Sequence, residues 1–438
     1  MTPHNEFVCE GFSYEPQTGT LLLRYAFDED LRFEERIVFP LSGRTLSAQE
    51  TEVLDRLFRL LLLACGVSYY KAYAPRRVRC SAFPLDPVTA AFLTDFYVKG
   101  LAEFAWRNNI DLAGRLTILA EDVEPPAALR LALPRRTCVP VGGGKDSIVT
   151  VECLKQAQEP LVLFSLGSAT PIDATIRQAG LPAIRVTRRL DPHLLALNEQ
   201  GAFNGHVPIT GILSVIVIAC AILCGYDTIA MSNEHSASAG NLTLNGLEVN
   251  HQYSKSFEFE QALRRHIDDH IARGVAYFSL LRPLSEAAIA RRFARHAAYL
   301  PVFMSCNTAF RQAPDRRATT WCCNCPKCRF VFLALAPFVD RERLIATFGH
   351  DVLDDPAQTD GFAELCGLRL HKPFECVGEV EESETILAHL GCVAAWRDTA
   401  VVRALAPRVR GQDFASLFAL RGPHFVPERY LAMLDACG

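Results

Sequence analysis

Residues 138–150 read CVPVGGGKDSIVT, and the fold turns on how this stretch is read. A short apolar run meets three consecutive glycines, then Lys145, Asp146 and Ser147, then a run of helical character. Three glycines maximise backbone freedom and present bare N–H groups. Ahead of a helix N-terminus, such a loop suits a phosphate. A plain strand-to-helix turn would use the same residues, so the flanking chain has to decide.

From Cys138 onward, short apolar strands alternate with helices. CVPV (138–141), PLVLFSLG (160–167), AIRVTRRL (183–190) and DTIAMSNE (227–234) read as strands. DSIVTVECLKQAQ (146–158), a short stretch at DATIRQAG (173–180) and the apolar run ITGILSVIVIACAIL (209–223) read as helices. Such alternation predicts an α/β fold with a doubly wound parallel sheet. Ligands in these folds sit beyond the carboxyl ends of the strands, which is where both GGGKDS and SNEH fall.

Residues 1–130 differ. TLLLRYAFDED (20–30) and RFEERIVFPL (32–41) are strand-like, while 48–66 and 86–109 each show helical apolar spacing, so an α+β domain is expected there. The Pro-Pro pair in EDVEPPAALRLALPRR (121–136) marks a linker. Residues 131–345 form the expected nucleotide-binding domain with its cysteine group, and 346–438 a smaller appended region.

Composition narrows the function classes. The 438 residues are 50% hydrophobic and 21% charged, ordinary for a globular protein, and the net charge is −4. Nothing there points to a nucleic-acid partner. The start of the sequence has no basic and apolar regions of a signal peptide. The run 209–223 is shorter than the roughly 18 residues of a membrane span. Sixteen cysteines in so long a chain suggest free thiols and a metal site rather than a disulfide framework. The expected location is the cytoplasm, with no membrane or nucleic-acid partner; the oligomeric state is open.

Two further groups carry chemistry. NGHVPIT (204–210) precedes the apolar run with His206, and residues 231–260 are dense in polar side chains: Asn233, Glu234, His235, Asn250, His251, Tyr253, Lys255, Ser256 and Glu258. Loops at strand ends are where sites usually lie, although a solvated loop with a helix cap at Ser254 or Ser256 would also account for part of this stretch. Downstream, SCNTAFRQAPDRRATTWCCNCPKCRF places Cys322, Cys325 and Cys328 in a C-x-x-C-x-x-C run with Cys306 upstream. Four thiolates suit a closed tetrahedral Zn²⁺ site. An Fe–S cluster or metal-free thiols remain open, with zinc preferred. Cys323 is the odd member and reads as a core residue.

GGGKDS is neither a Walker A loop nor a dinucleotide fingerprint. It resembles the S-G-G-x-D-S loop of the PP-loop ATP pyrophosphatase superfamily, whose fold is of the adenine nucleotide α-hydrolase type. Gly143, Gly144, Asp146 and Ser147 match that motif; Gly142 stands where its first Ser would be, and Lys145 holds the variable position. The resemblance implies ATP, with the glycine N–H groups and Ser147 on the phosphates and Mg²⁺ beside Asp146. The cysteine run resembles the zinc knot of the 7-cyano-7-deazaguanine synthases.

The order GGGKDS, NGHVPIT, SNEHSASAGN, VNHQYSKSFEFE and SCN…WCCNCPKC resembles the MurL family of UDP-N-acetyl-α-D-muramoyl-L-alanyl-L-glutamate epimerases, over about residues 135 to 335. That resemblance implies an isomerase of peptidoglycan precursor synthesis. It would convert the terminal L-glutamate of UDP-MurNAc-L-Ala-L-Glu to D-glutamate through an acyl-adenylate, releasing AMP and pyrophosphate, without pyridoxal phosphate. His251 or His235 is the expected base, with Lys255 as electrostatic helper and Cys323 or another thiol as a possible second base. His206, Asn233, Glu234, Asn250, Tyr253, Ser256 and Glu258 are expected to bind substrate, and Gly142, Gly143, Gly144, Lys145, Asp146 and Ser147 the nucleotide. Competing expectations are an amidating PP-loop ligase, a tRNA-thiolating enzyme and a non-catalytic nucleotide- or zinc-binding module.

Overall fold

The computed structural model describes residues 4–28, 30–244, 246–310, 317–369 and 372–438. Residues 311–316, inside the cysteine-bearing stretch, lie outside the described residues. In chain order the strands are β1 (Glu6–Glu15), β2 (Thr20–Phe27), β3 (Leu31–Val38), β4 (Arg77–Cys80), β5 (Thr117–Ile118), β6 (Leu129–Arg130), β7 (Thr137–Pro140), β8 (Leu161–Leu166), β9 (Ala183–Arg189), β10 (Thr228–Met231), β11 (Leu242–Leu244), β12 (Leu247–Val249), β13 (Ala272–Arg273) and β14 (Ala276–Ser279). The first helices are α1 (Ala48–Tyr70), α2 (Pro87–Gly100), α3 (Ala102–Arg107), α4 (Lys145–Gln156), α5 (Thr170–Ala179), α6 (Pro192–Glu199), α7 (Ile209–Cys224) and α8 (Phe257–His270). They are followed by α9 (Glu286–Ala294), α10 (Pro326–Leu335), α11 (Arg341–Phe348), α12 (Thr359–Leu365), α13 (Val380–Leu390), α14 (Ala400–Leu405) and α15 (Glu428–Ala436). The protein is α/β, with a large, mostly parallel central sheet. Among the described residues no helix is long and apolar enough to cross a membrane.

The chain forms two compact units, neither a continuous stretch. The first comprises Met1–Cys138, Ile184–Ile229 and Thr243–Tyr277. Its strands run in the order β9-β3-β2-β1-β4-β5. β1, β2 and β3 form an antiparallel meander. One edge of AIRVTRRL departs from a wholly parallel sheet: β9 pairs antiparallel with β3, Ile37 opposite Arg188. Arg188 reaches back to the buried Glu35 in a two-pronged ion pair, Nε to Oε1 at 2.6 Å and Nη2 to Oε2 at 3.0 Å, which favours this edge for a strand rich in arginine.

Helix α1 begins at a capping box, with Ser47 Oγ accepting from Glu50 N and Ser47 N donating to the Glu50 carboxylate. It packs on α7, the apolar run of the sequence, which is buried almost throughout and ends at Gly225 in the left-handed region. The expected single helix over 86–109 is two: Leu101 leaves helical geometry (φ −101°, ψ 11°) between α2 and α3. That break matters, because α3 carries Glu103 at its own angle.

The second unit comprises Val139–Ala183, Ala230–Leu242 and Phe278–Gly438. Its strands run β14-β10-β7-β8. The chain leaves β7 for β8 on one side and later returns to place β10 on the other, so β7 and β10 flank a topological switch point. β10 runs parallel to β7, with Ile229 opposite Cys138, so the segments following both strands emerge at the same edge. Apolar side chains of α4, α9 and α10, including Ile148, Ile289 and Phe332, fill the core. Cys153 of α4 and Cys437, just past α15, form a disulfide with Cα atoms 5.4 Å apart. This corrects the expectation of free thiols throughout: the packing of α15 on α4 juxtaposes two residues 284 positions apart.

Candidate active site

The glycine loop is built as its residue types require. Gly143 has φ +82°, and a Cβ there would come within 2.8 Å of Pro171 Cβ and 2.9 Å of the Pro171 carbonyl carbon. Its carbonyl accepts from Met304 N at 2.9 Å. Gly142 differs, since a Cβ there would meet nothing within 4 Å. Gly144 is the N-cap of α4 and offers no side chain to the first helical N–H groups. Ser147 Oγ donates to Gly144 O at 3.2 Å. Pro171 and Met304, both against Gly143, also line a cavity of about 710 Å³ with Thr170, Thr320, Asn324 and His350.

Beneath the loop lies a buried ionic cluster. The Lys145 ammonium contacts the carboxylates of Asp146 and Glu286, and both Lys145 and Glu286 are essentially inaccessible. Burial disfavours the ammonium, but Asp146 and Glu286 outweigh it and hold the Lys145 pKa above its usual value. Burial pushes Glu286 up against the pull of Lys145, with Asp146 and Glu234 adding to the rise. Among the described residues Glu286 Oε1 has no hydrogen-bond partner. Glu382, also buried, accepts from Ala287 N at 2.7 Å at the start of α9. Burial and the charge of Glu286 raise its pKa to about 7.

The segment after β10 is pinned beside this cluster. Ser232 Oγ donates to Thr150 Oγ1 (2.8 Å), Asn233 Nδ2 to Ser279 Oγ (3.1 Å), and Arg282 Nη1 to the Glu234 carbonyl (2.7 Å). His235 begins a 3₁₀ turn with its ring against Gly422. Burial, with Arg421 and Arg282, lowers its pKa.

A second cluster sits in the first unit. Glu103 on α3 contacts His251 Nδ1 and accepts from Arg107 Nε at 2.7 Å. The rings of His251 and His206 lie 4.3 Å apart between centroids. Burial would raise Glu103, but the hydrogen bond and charge of His251 and the Arg107 bond hold it below the usual carboxylate range. Burial, then His251 and Lys255, push His206 down to about 3.

The thiols of Cys306, Cys322, Cys325 and Cys328 lie within 4.8 Å of one another. Cys322 Sγ and Cys328 Sγ are 3.6 Å apart, close to the ~3.8 Å that tetrahedral Zn–S bonds of ~2.3 Å dictate. Hydrogen bonds from Cys325 and Cys328 push the Cys306 thiol well down, while Cys325 is pushed up to about 12. Cys323 turns away (φ +53°), its buried thiol against the Phe348 carbonyl at 3.3 Å.

The MurL N-terminal domain model matches residues 1–280, and the MurL C-terminal domain model matches residues 302–416. The chain belongs to the MurL family. Three relatives, from Salinispora tropica, Micromonospora sp. and Xanthomonas oryzae pv. oryzae, are named UDP-N-acetyl-α-D-muramoyl-L-alanyl-L-glutamate epimerase. The first is 45% identical over 99% of this chain and 95% of its own length. The second is 45% identical over 98% and 97%. The third is 40% identical over 94% and 93%.

Within this MurL chain the expected site residues divide into three sets. Gly142, Gly143, Gly144, Lys145, Asp146 and Ser147 lie at the switch point with Asn233, Glu234 and His235. His206 and His251 cluster with Lys255 nearby. Others have structural work: Ser256 caps α8, accepting from Phe259 N at 3.1 Å; Asn250 Oδ1 accepts from Gln252 N at 2.7 Å; Tyr253 is buried against Phe259; Glu258 forms an exposed ion pair with Lys99. Sequence reasoning missed Glu103, Glu286 and Glu382. Each is an ordinary-looking helical carboxylate whose burial is invisible in the local pattern; only Glu286, one residue after the helix-capping Ser285, had even a capping signal.

Proposed function

We propose that the protein is an ATP-dependent epimerase, an isomerase acting in the cytoplasm on UDP-MurNAc-L-Ala-L-Glu in peptidoglycan precursor synthesis. Near full-length likeness to relatives carrying that name supports the reaction. The observation that carries the nucleotide role is Gly143, at positive φ and in contact with Pro171, at a switch point beside Asp146. This supports a PP-loop type of domain, with the cavity beside Gly143 as the nucleotide chamber. Mg²⁺ fits the residues present: Asp146 and Glu286 already converge on one cation, the Lys145 ammonium, and Glu286 keeps an oxygen with no hydrogen-bond partner among the described residues. A bound Mg²⁺ would supply charge neutralisation for the phosphates there. Zn²⁺ fits the four thiols as a structural ion that ties Cys306 to the start of α10.

The chemistry follows from charge. Removing an α-proton beside a carboxylate piles up negative charge. Adenylating the α-carboxylate removes that charge and lets the enolate form, held by donors. A base takes the proton, reprotonation on the other face inverts the centre, and hydrolysis releases AMP. His251 or His235 is the base in this reading. An amidating ligase would share the adenylate but need an amine. The test is incubation with ATP and the dipeptidyl UDP-sugar, reading AMP release and glutamate chirality, with and without ammonia. D-glutamate without amine is expected, and Asp146→Ala should abolish it. Unchanged epimerisation by that variant would remove the loop from the reaction.

A further inference from the structure

We infer that the first unit carries a ligand site of its own: a cavity of about 830 Å³ that takes a nucleoside diphosphate group, with the phosphates on Arg76, Arg77 and Arg115 and the base against Phe203. Every residue named for it belongs to that unit, and the inference stands apart from the epimerase reading. Three parallel strands align the basic wall. Glu6 of β1 lies opposite Arg77 of β4, and Arg77 opposite Thr117 of β5. Asn5, Arg76 and Arg115, just ahead of those strands, therefore fall along one edge of the sheet, and with Arg77 they line the cavity. The backbone there is held in place. Tyr70 Oη donates to the Pro75 carbonyl at 2.9 Å, and Thr117 N to the Arg76 carbonyl at 2.8 Å. Arg115 Nη2 donates to the Ala74 carbonyl at 3.4 Å, which draws its guanidinium toward the turn that carries Arg76.

Three guanidinium groups on one wall repel one another until an anion or solvent intervenes. Among the described residues, none of the three forms an ion pair with a carboxylate. The carboxylates of the adjoining strands are engaged elsewhere. Glu6 pairs with Arg79 at 2.9 Å; Asp28 pairs with His4 at 3.0 Å and accepts from Asn5 N at 3.0 Å. All three arginines are exposed, in a chain whose net charge is −4, so the basic wall is a local feature and not a reflection of composition. Guanidinium forks match phosphate oxygens two at a time, and three of them suit a diphosphate better than a lone carboxylate. The apolar wall narrows the class further. Phe203 is 40% exposed, with its N–H on the Ala72 carbonyl at 3.0 Å. Tyr73 lines the same cavity, its ring edge-on to His4 at 4.4 Å. An exposed ring fixed beside arginines offers a stacking face for a planar base. The volume lies within the ~300–1,000 Å³ of small-molecule sites and is too large for a single phosphate. Free nucleotides and nucleotide-sugars share this chemistry.

The test is residue-resolved arginine labelling of the full-length protein. Phenylglyoxal modifies exposed guanidinium groups, and peptide mass spectrometry reads Arg76, Arg77 and Arg115 separately from Arg397, an exposed arginine of the second unit. UDP, ADP, UDP-N-acetylglucosamine, uridine, inorganic pyrophosphate and sulfate are compared, and titration of the protection gives each Kd. UDP at about ten times its Kd should slow labelling of the three arginines together by about tenfold and leave Arg397 unchanged. Phe203→Ala should raise the Kd for UDP at least about fivefold, the loss of one stacked base, and leave that for pyrophosphate as it was. Arg115→Ala should raise both at least about tenfold, with thermal unfolding showing that each variant is folded. Tighter protection by UDP-N-acetylglucosamine than by UDP marks a nucleotide-sugar site, and the reverse a site for free nucleotides; either supports the proposal. Protection by sulfate as tight as that by UDP would overturn it and leave a solvated basic edge. So would arginines left unprotected by every diphosphate, or a Kd for UDP indifferent to Phe203→Ala. None of these readings depends on turnover: a protein that forms no D-glutamate can still bind here, and an active epimerase can fail to.

Discussion

Replacing Gly143 by Ala tests the glycine loop most directly, because Gly142 beside it serves as an internal control. At φ +82° an L-residue is strained by about 1–2 kcal/mol. The new Cβ would also approach Pro171 Cβ to 2.8 Å and its carbonyl carbon to 2.9 Å. A backbone carbon cannot swing aside like a side-chain tip, so the loop must move away from the start of α5. Overpacking of that kind adds about 1–3 kcal/mol. The expected loss is therefore about 2–5 kcal/mol of stability, or a loop displaced from its phosphate-binding position. Displacement by about 1 Å at a catalytic site lowers rates by about 10²-fold. The assay pairs chemical denaturation with the KM for ATP in AMP release. Gly143→Ala should show a lower denaturation midpoint, a KM raised at least about tenfold, or both. A Cβ at Gly142 meets no described atom within 4 Å, so Gly142→Ala should stay within about twofold of wild type. If the two variants behave alike, the steric account of the loop is wrong.

Glu382→Gln keeps the acceptor for Ala287 N and removes a buried charge. Because the folded pKa is raised, from 4.5 to about 7, the wild-type carboxylate loses stability as pH climbs through that interval. The variant should match wild type near pH 4.5 and exceed it above pH 7, by about 3 kcal/mol, in urea titrations at the two pH values; a gain at acid pH alone would contradict this. Cys328→Ala should drop bound zinc from one equivalent to none by metal analysis and lower thermal stability, whereas Cys323→Ala should keep the metal. Glu286→Gln leaves Lys145 buried with a weaker partner and should destabilise by about 3–5 kcal/mol. Pairing Lys145→Met with Glu286→Leu should recover much of that stability in denaturation curves without recovering AMP release.

Much of the second unit was legible because its signals are local. The glycine loop, the strand before it and the helix after it lie within twenty residues, and the C-x-x-C-x-x-C spacing is set by one turn into α10. The antiparallel pairing of β9 with β3 was not legible. A strand with three arginines does not show which neighbour it will take, and its buried partner Glu35 lies 153 positions away from Arg188. Likewise 86–109 carried one continuous helical period, and the break at Leu101 appears only where the chain packs. The two compact units are made of interleaved segments, and interleaving of that kind leaves no mark in the local sequence.

CVPVGGGKDSIVT on its own determined a strand, a phosphate-suited loop and a helix, because those follow from backbone freedom and apolar period over a few residues. The histidines and the cysteine spacing were equally plain as chemistry. Only the tertiary structure decided which carboxylates face them. Glu103 meets His251 across 148 residues and Glu286 meets Lys145 across 141. A carboxylate at a helix surface and one sealed in a core look the same in sequence. What separates them is the water removed when distant segments close over the side chain, and that is a property of the whole fold.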